Sequence, residues 1–251
     1  MSEHSLKGKA VLVGGGAKNL GGLISRTLAG AGARICVHYN SAATQVDADA
    51  TVAVIRGAGG EAFAIQGDFT KTADVVAVFA AAKQQFGGLD IAINTVGKVL
   101  KKPFTETTEA EYDSMAAINS KAAYFFIQEA GKQLNDHGKI VTIVTSLLAA
   151  YTGLYSTYGG LKAPVEHYTR AASKEFGARG ISVTAVGPGP MDTPFFYGQE
   201  TAEAVAYHKS ASALGGLTKI EDIVPLVQFL VTDGWWITGQ TIFANGGYTT
   251  R

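Results

Sequence analysis

Seven short runs of almost unbroken apolar character recur along the chain, each separated from the next by a longer amphipathic stretch. They are KAVLVGG (9–15), ARICVHY (33–39), EAFAIQGD (61–68), LDIAINTV (89–96), GKIVTIVT (138–145), ISVTAVG (181–187) and TIFANGG (241–247). A half-exposed strand alternates apolar and polar residues; near-continuous runs instead mark strands covered on both faces, as in a parallel sheet. The stretches between them, such as LISRTLAGAG, ADVVAVFAAAKQQFG and EHYTRAASKEFGARG, carry helical periodicity, and several end at Gly as helix C-termini do. The alternation predicts an α/β fold. We expect one doubly wound (Rossmann) domain over residues 1–251, with a central parallel sheet of about seven strands, helices on both faces and right-handed crossovers. The stretch 191–217 breaks the alternation and reads as a substrate lid.

Charge excludes several partners. Lys plus Arg equals Asp plus Glu at 21 each, so no broad basic surface points to nucleic acid or an anionic membrane. No apolar run approaches a membrane span, and the start MSEHSLKGK lacks the apolar core of a signal peptide, which predicts a cytoplasmic protein. Cys36, the single cysteine, lies inside an apolar run and reads as a small buried hydrophobe. No His, Cys or Asp cluster has metal-ligand spacing, so no metal is expected.

After the first run comes GGGAKNLGG (14–22), directly before a helix pattern. In that place Gly15 and Gly21, with Lys18, Asn19 and Leu20 between them, let backbone N–H groups approach a pyrophosphate at the positive end of a helix dipole. A β–α turn without a ligand has the same composition; the position after strand one is what points to a dinucleotide. Strand two ends HYNSAAT, with no carboxylate before Asp47. A carboxylate there would bond an adenosine ribose and repel a 2′-phosphate. Tyr39, Asn40 and Ser41 can instead donate to that phosphate and Lys18 can add positive charge, which favours NADP(H) over NAD(H).

With these residues the chain resembles the short-chain dehydrogenase/reductase family over about residues 7–250. The family's T-G-x-x-x-G-x-G turn corresponds to residues 14–21, with Gly14 in place of Thr and Asn19 in place of the middle Gly. Asn tolerates a left-handed backbone and can keep the turn, while the missing Thr hydroxyl removes a bond that would steady the adjoining loop. The resemblance implies that Asp68 contacts the adenine, with Phe69 beside it. It matches the N-N-A-G motif to Asn94-Thr95-Val96-Gly97, retaining only the first Asn and the Gly. It places Asn119 as the structural asparagine of the central helix, holding a water on a proton path. Pro188, Gly189, Met191 and Thr193 fall where family members bind the nicotinamide carboxamide, and Asn245-Gly246-Gly247 resembles the C-terminal D-G-G.

Tyr158 precedes Lys162 by four residues, so on a helix the two side chains share one face. This is the family's Y-x-x-x-K pair, and Ser146 stands where its catalytic serine does. A phenol with a pKa near 10 is a poor acid or base at neutral pH. An ammonium about 5 Å away, at an effective dielectric of about 20, would favour the phenolate by roughly 3 kcal/mol. Tyr158 is then the general acid/base, Lys162 also bonds the nicotinamide ribose, and Ser146 stabilises the developing oxyanion. Tyr155 is the rival, because enoyl reductases of the same superfamily use a Tyr-x6-Lys spacing that Tyr155 and Lys162 provide. Tyr155 otherwise lines the pocket, and Tyr151 reads as pocket wall or packing. His167 and His208 have no carboxylate partner evident from sequence. Phe195, Phe196, Tyr197 and Tyr207 in the lid suit an apolar or aromatic substrate, or simple packing. The resemblance further implies a homotetramer. Three functions are open: an NADP(H)-dependent ketone or aldehyde reductase acting through Asn119, Ser146, Tyr158 and Lys162, an enoyl reductase, and a non-enzymatic NADP(H) sensor.

Overall fold

In the computed structural model, which describes residues 4–150 and 152–250, each apolar run contains a strand. These are β1 (Ala10–Gly14), β2 (Arg34–Tyr39), β3 (Ala62–Gln66), β4 (Ile91–Asn94), β5 (Lys139–Ile143), β6 (Ser182–Pro188) and β7 (Thr241–Ala244). Most strands are shorter than their runs. Except in β2 and β6, the C-terminal residues of the runs leave the sheet, and several of them form loops of the candidate site.

All seven strands pair in parallel, in the order β3-β2-β1-β4-β5-β6-β7. The order reverses between β1 and β4, and a doubly wound sheet opens its ligand crevice at the carboxyl ends of such a pair. The helices are α1 (Asn19–Gly30), α2 (Ala42–Gly57), α3 (Thr72–Phe86), α4 (Glu109–Ala116), α5 (Ala122–Gln133), α6 (Ser156–Glu175), α7 (Pro194–Tyr197), α8 (Ala202–Ala211) and α9 (Ile220–Val231).

Two-sided burial explains the unbroken apolar runs. Val11 and Val13 of β1 pack with Ile24 and Leu28 of α1 and with Val227 and Leu230 of α9. Ala10 and Leu12, pointing the other way, pack with Phe79 of α3 and Phe126 of α5. Each large side chain so buried contributes about 1.5–3 kcal/mol by leaving water. Cys36 joins the second cluster, and burial pushes its thiol pKa up.

Between α4 and α5 the chain makes a π-helical turn at Ala117–Lys121, which carries Asn119 into the interior at 0% exposure. Such turns insert one extra residue and recur at functional sites. Helix α6 runs through Pro164 without a break, keeping Tyr158 and Lys162 one turn apart. Among the described residues no helix is long and apolar enough to cross a membrane.

Candidate active site

The turn after β1 is held from three sides. Gly15 (φ +72°) and Asn19 (φ 47°) adopt left-handed backbone, the second as expected for an Asn replacing Gly. The Gly15 N–H donates to His38 Nδ1 at 3.0 Å. From the neighbouring β4 loop, the Thr95 hydroxyl lies 2.8 Å from the Gly14 carbonyl oxygen and 3.2 Å from that of Gly15. A tether to the glycine turn is therefore present, with its hydroxyl on the opposite partner from the one the family pattern uses. Gly21 packs so closely that a Cβ there would run into the Gly15 carbonyl oxygen. Gly21→Ala is expected to cost about 1–3 kcal/mol of stability and to weaken dinucleotide binding, both readable from thermal melts with and without NADPH.

His38 was missed from sequence, although a polar residue inside RICVHY was its signal. Its Nε2 donates to the Gly67 carbonyl at 2.7 Å, and its ring stacks on Phe69 with centroids 3.7 Å apart. Accepting at Nδ1 and donating at Nε2 requires the neutral ring. Burial pulls its pKa from 6.5 to about 4. The unfolded chain therefore binds the extra proton between these values, and stability falls as pH drops through that window, by up to ~3 kcal/mol. Denaturant melts across the window should show this slope in the wild type and a flatter one in His38→Gln.

Beside the turn opens a cleft of about 480 Å³, lined by Gly15, Lys18, Asn19, Leu20, Gly21, Tyr39, Asn40, Asp68, Phe69, Gly97, Tyr158, Lys162, Met191 and Thr193 among others. Two observations fit a dinucleotide there. The first turn of α1 has neither a side-chain cap nor an acidic residue, so its N–H groups and positive dipole end are open to an anion. At the far end, the buried Thr193 hydroxyl has no hydrogen-bond partner, as a residue awaiting an amide would. Asp68 accepts from the Thr70 hydroxyl at 2.7 Å, and this bond holds its carboxyl below the usual range.

Other expected cofactor residues are placed differently. Lys18 does line the cleft, but its ammonium pairs with Asp47 of α2 at 2.7 Å and is partly neutralised. Ser41 is the N-cap of α2 and does not line the cleft, whereas Thr44 of the same turn does. Asn94 is buried under the β4 loop, where its Oδ1 accepts from the Val96 N–H at 3.0 Å. Pro188 and Gly189 line an adjoining cavity instead.

That second cavity contains Ser146 and shares Tyr158, Val144, Met191, Thr193 and Phe195 with the cleft. Tyr158 thus stands where the two meet. Ser146 Oγ donates to the Gly187 carbonyl at 3.1 Å and accepts from Asn245 Nδ2 at 3.0 Å. Lys162, 3% exposed, donates to the carbonyls of Ile143 (3.0 Å) and Val96 (3.3 Å). A Cβ on Gly97 would lie 3.0 Å from Lys162 Nζ and 3.1 Å from Asn119 Oδ1, so any side chain there would press on both. Asn119 does not reach into the cleft: its amide takes the Lys98 N–H (3.1 Å) and C=O (2.9 Å), which positions the β4 loop.

The electrostatics correct one expectation. Burial pushes Tyr158 up to about 12, where a lowering by Lys162 was expected, and the Thr145 hydroxyl offsets this only in part. The reason is that Tyr158 is removed from water, which penalises the phenolate; Lys162 is likewise pulled down to about 8 by burial.

The Ser146 cavity is also lined by Glu200, whose side chain is fully buried. It accepts from the Tyr155 hydroxyl and pairs with Lys101. His208 Nε2 lies 3.8 Å from the same carboxylate, so this histidine has the acidic partner that its sequence context hid. Its Nδ1 is 2.9 Å from the Tyr248 hydroxyl. Tyr155 lines this cavity and not the cleft. Tyr151 lies outside the described residues.

Comparison with known proteins agrees with this architecture. A family profile described as enoyl-(acyl carrier protein) reductase matches residues 15–249. A hydroxynaphthalene reductase-like protein, Arp2, of Metarhizium brunneum is 35% identical over 268 residues, covering 98% of this chain and 97% of its own. A protein from Burkholderia cenocepacia taken to be a dehydrogenase, crystallised with bound NADP, superposes with a TM-score of 0.98 at 66% identity, over 100% of this chain and 97% of that one. The angucycline C-6 ketoreductase LanV, also with NADP, gives 0.90 at 30% identity over 97% and 96% of the two chains.

Proposed function

We propose that this chain, which belongs to the short-chain dehydrogenase/reductase family, is an NADP(H)-dependent reductase of ketone or aldehyde carbonyls. The observation that carries the reading is the position of Tyr158 at the junction of the dinucleotide-sized cleft and the Ser146 cavity. When bound, the reduced nicotinamide supplies a hydride, and the protein supplies orientation and proton transfer. Gly15, Asn19 and the α1 N-terminus would hold the pyrophosphate, Tyr39, Asn40 and Thr44 the 2′-phosphate side, and Thr193 the carboxamide. The Ser146 hydroxyl turns from Gly187 to the substrate oxygen, steadied by the bond it accepts from Asn245. Tyr158 gives its proton to that oxygen as the carbonyl carbon becomes tetrahedral. A phenol held near 12 is protonated at neutral pH, which suits reduction better than alcohol oxidation. The whole chain then works as one unit, with 191–217 as the cover of the substrate cavity.

The enoyl-reductase reading named by the family profile would need Tyr155 as proton donor. Its hydroxyl is committed to Glu200, and burial together with that bond raises its pKa well above the ordinary range, which supports the carbonyl chemistry instead. The test is NADPH oxidation against matched ketones, aldehydes and α,β-unsaturated thioesters. Turnover of carbonyls is expected; turnover of the C=C substrates alone would move the assignment to Tyr155, and turnover of none would favour a sensor.

A further inference from the structure

One cluster in the lining of the substrate cavity has a definite hydrogen-bond polarity. The cavity is walled by Val99, Leu147, Pro190, Met191, Phe195 and Phe196, and holds Ser146 and Tyr158. It also holds Tyr155, Glu200, His208 and Tyr248, with the Tyr155 ring centroid 6.4 Å from that of Tyr158. A carboxylate can only accept, so Tyr155 must spend its single hydrogen on Glu200 Oε1, and Lys101 donates to the other oxygen. His208 is placed to point Nε2–H at the same carboxylate, since a lone pair there would be repelled. Its Nδ1 then accepts, and Tyr248 spends its hydrogen on it. The Tyr248 oxygen is further bonded to the Thr152 hydroxyl. What this cluster turns to the cavity is therefore an acceptor without a hydrogen to give, chiefly the Tyr155 oxygen, while the Gln199 amide is a separate polar group of the lining. Lys101 balances the charge of Glu200, so the cluster offers no net negative charge for a cation, and an anion would meet oxygen lone pairs.

Resting on the reductase reading, we propose that the substrate is a neutral ketone with an apolar body that also carries a hydroxyl group, received by the Tyr155–Glu200 pair. Glu200 belongs to the 191–217 segment while Tyr155 and Lys101 do not, so one set of contacts both docks the cover and sets the polarity of the pocket. A methoxy group in the same place would bring an acceptor against an acceptor and lose the bond.

The test uses 1-tetralone with its ring-hydroxylated and ring-methoxylated isomers as matched series, measuring NADPH oxidation by the full chain. At least one hydroxy isomer should exceed both its methoxy partner and the parent ketone in kcat/KM by about 10- to 100-fold, the range expected when a buried polar partner is satisfied or left unpaired. Tyr155→Phe should erase that ratio. In Glu200→Gln the new amide can donate to Tyr155, freeing the phenol to donate in turn, and the ratio should move toward the methoxy compound. A purely structural role would lower all substrates together and leave the ratio unchanged. Equal turnover of hydroxy and methoxy isomers by the wild type, or a preference for methoxy, overturns this inference alone. Turnover of no ketone by protein that still binds NADPH overturns the reductase reading and this inference with it.

Discussion

Tyr158→Phe is expected to lower kcat/KM for ketone reduction by about 10²–10⁴-fold, the usual worth of a positioned general acid, with little change in NADPH affinity. The substitution removes one oxygen at the wall shared by the cleft and the Ser146 cavity. The ring itself remains to pack near Phe195, whose centroid is 6.4 Å away. Steady-state kinetics and an NADPH fluorescence titration on the same preparation separate the two effects. A variant that keeps its rate would transfer the proton-donor role to another group.

Lys162→Met should abolish most activity while scarcely moving the melting temperature, because two large terms oppose each other. Lost donors would leave the Ile143 and Val96 carbonyls unpaired, at about 1–3 kcal/mol each. Burying the ammonium, however, pulls its pKa from 10.5 to about 8, which costs ~3 kcal/mol at neutral pH. The sign follows from proton counting: between about 8 and 10.5 the unfolded chain binds the extra proton, so wild-type stability should rise with pH across that window relative to the variant. Activity should run the other way. The ammonium is present below about 8, so kcat/KM for reduction should decline as pH rises through that value. A flat profile there would remove Lys162 from the proton and cofactor machinery.

The strands were legible because covering a sheet on both faces leaves a local mark, a nearly unbroken run of apolar residues. Their order was not, since nothing local states that β1 sits between β2 and β4. In the site, the Tyr158–Lys162 spacing was readable because both residues lie on one helix. The contacts missed were all between distant segments. Thr95 reaches the glycine turn across 81 residues, and Tyr155 reaches Glu200 across 45. Thr95 is instructive: residue by residue, Gly14 and Thr95 look like two departures from the family pattern, and in space they compensate. Ser41 stands outside the cleft lining for a local reason. Its composition suited a phosphate, but a helix start at Ala42 claimed it as a cap. The pKa of Tyr158 runs against expectation because a charge-pair argument takes no account of burial.

The π-helical turn at Ala117–Lys121 has a consequence for what this chain can tolerate in its coding sequence. A regular helix rotates about 100° per residue, so losing a single codon between Met115 and Ala123 would rewind the turn and swing the upstream half by that angle. The amide of Asn119 would then leave the main chain of Lys98, although every side chain in the stretch except the deleted one had been kept. Exchanging an exposed residue there, such as Lys121, should be almost silent by comparison. In this segment the number of residues is more tightly constrained than their identity.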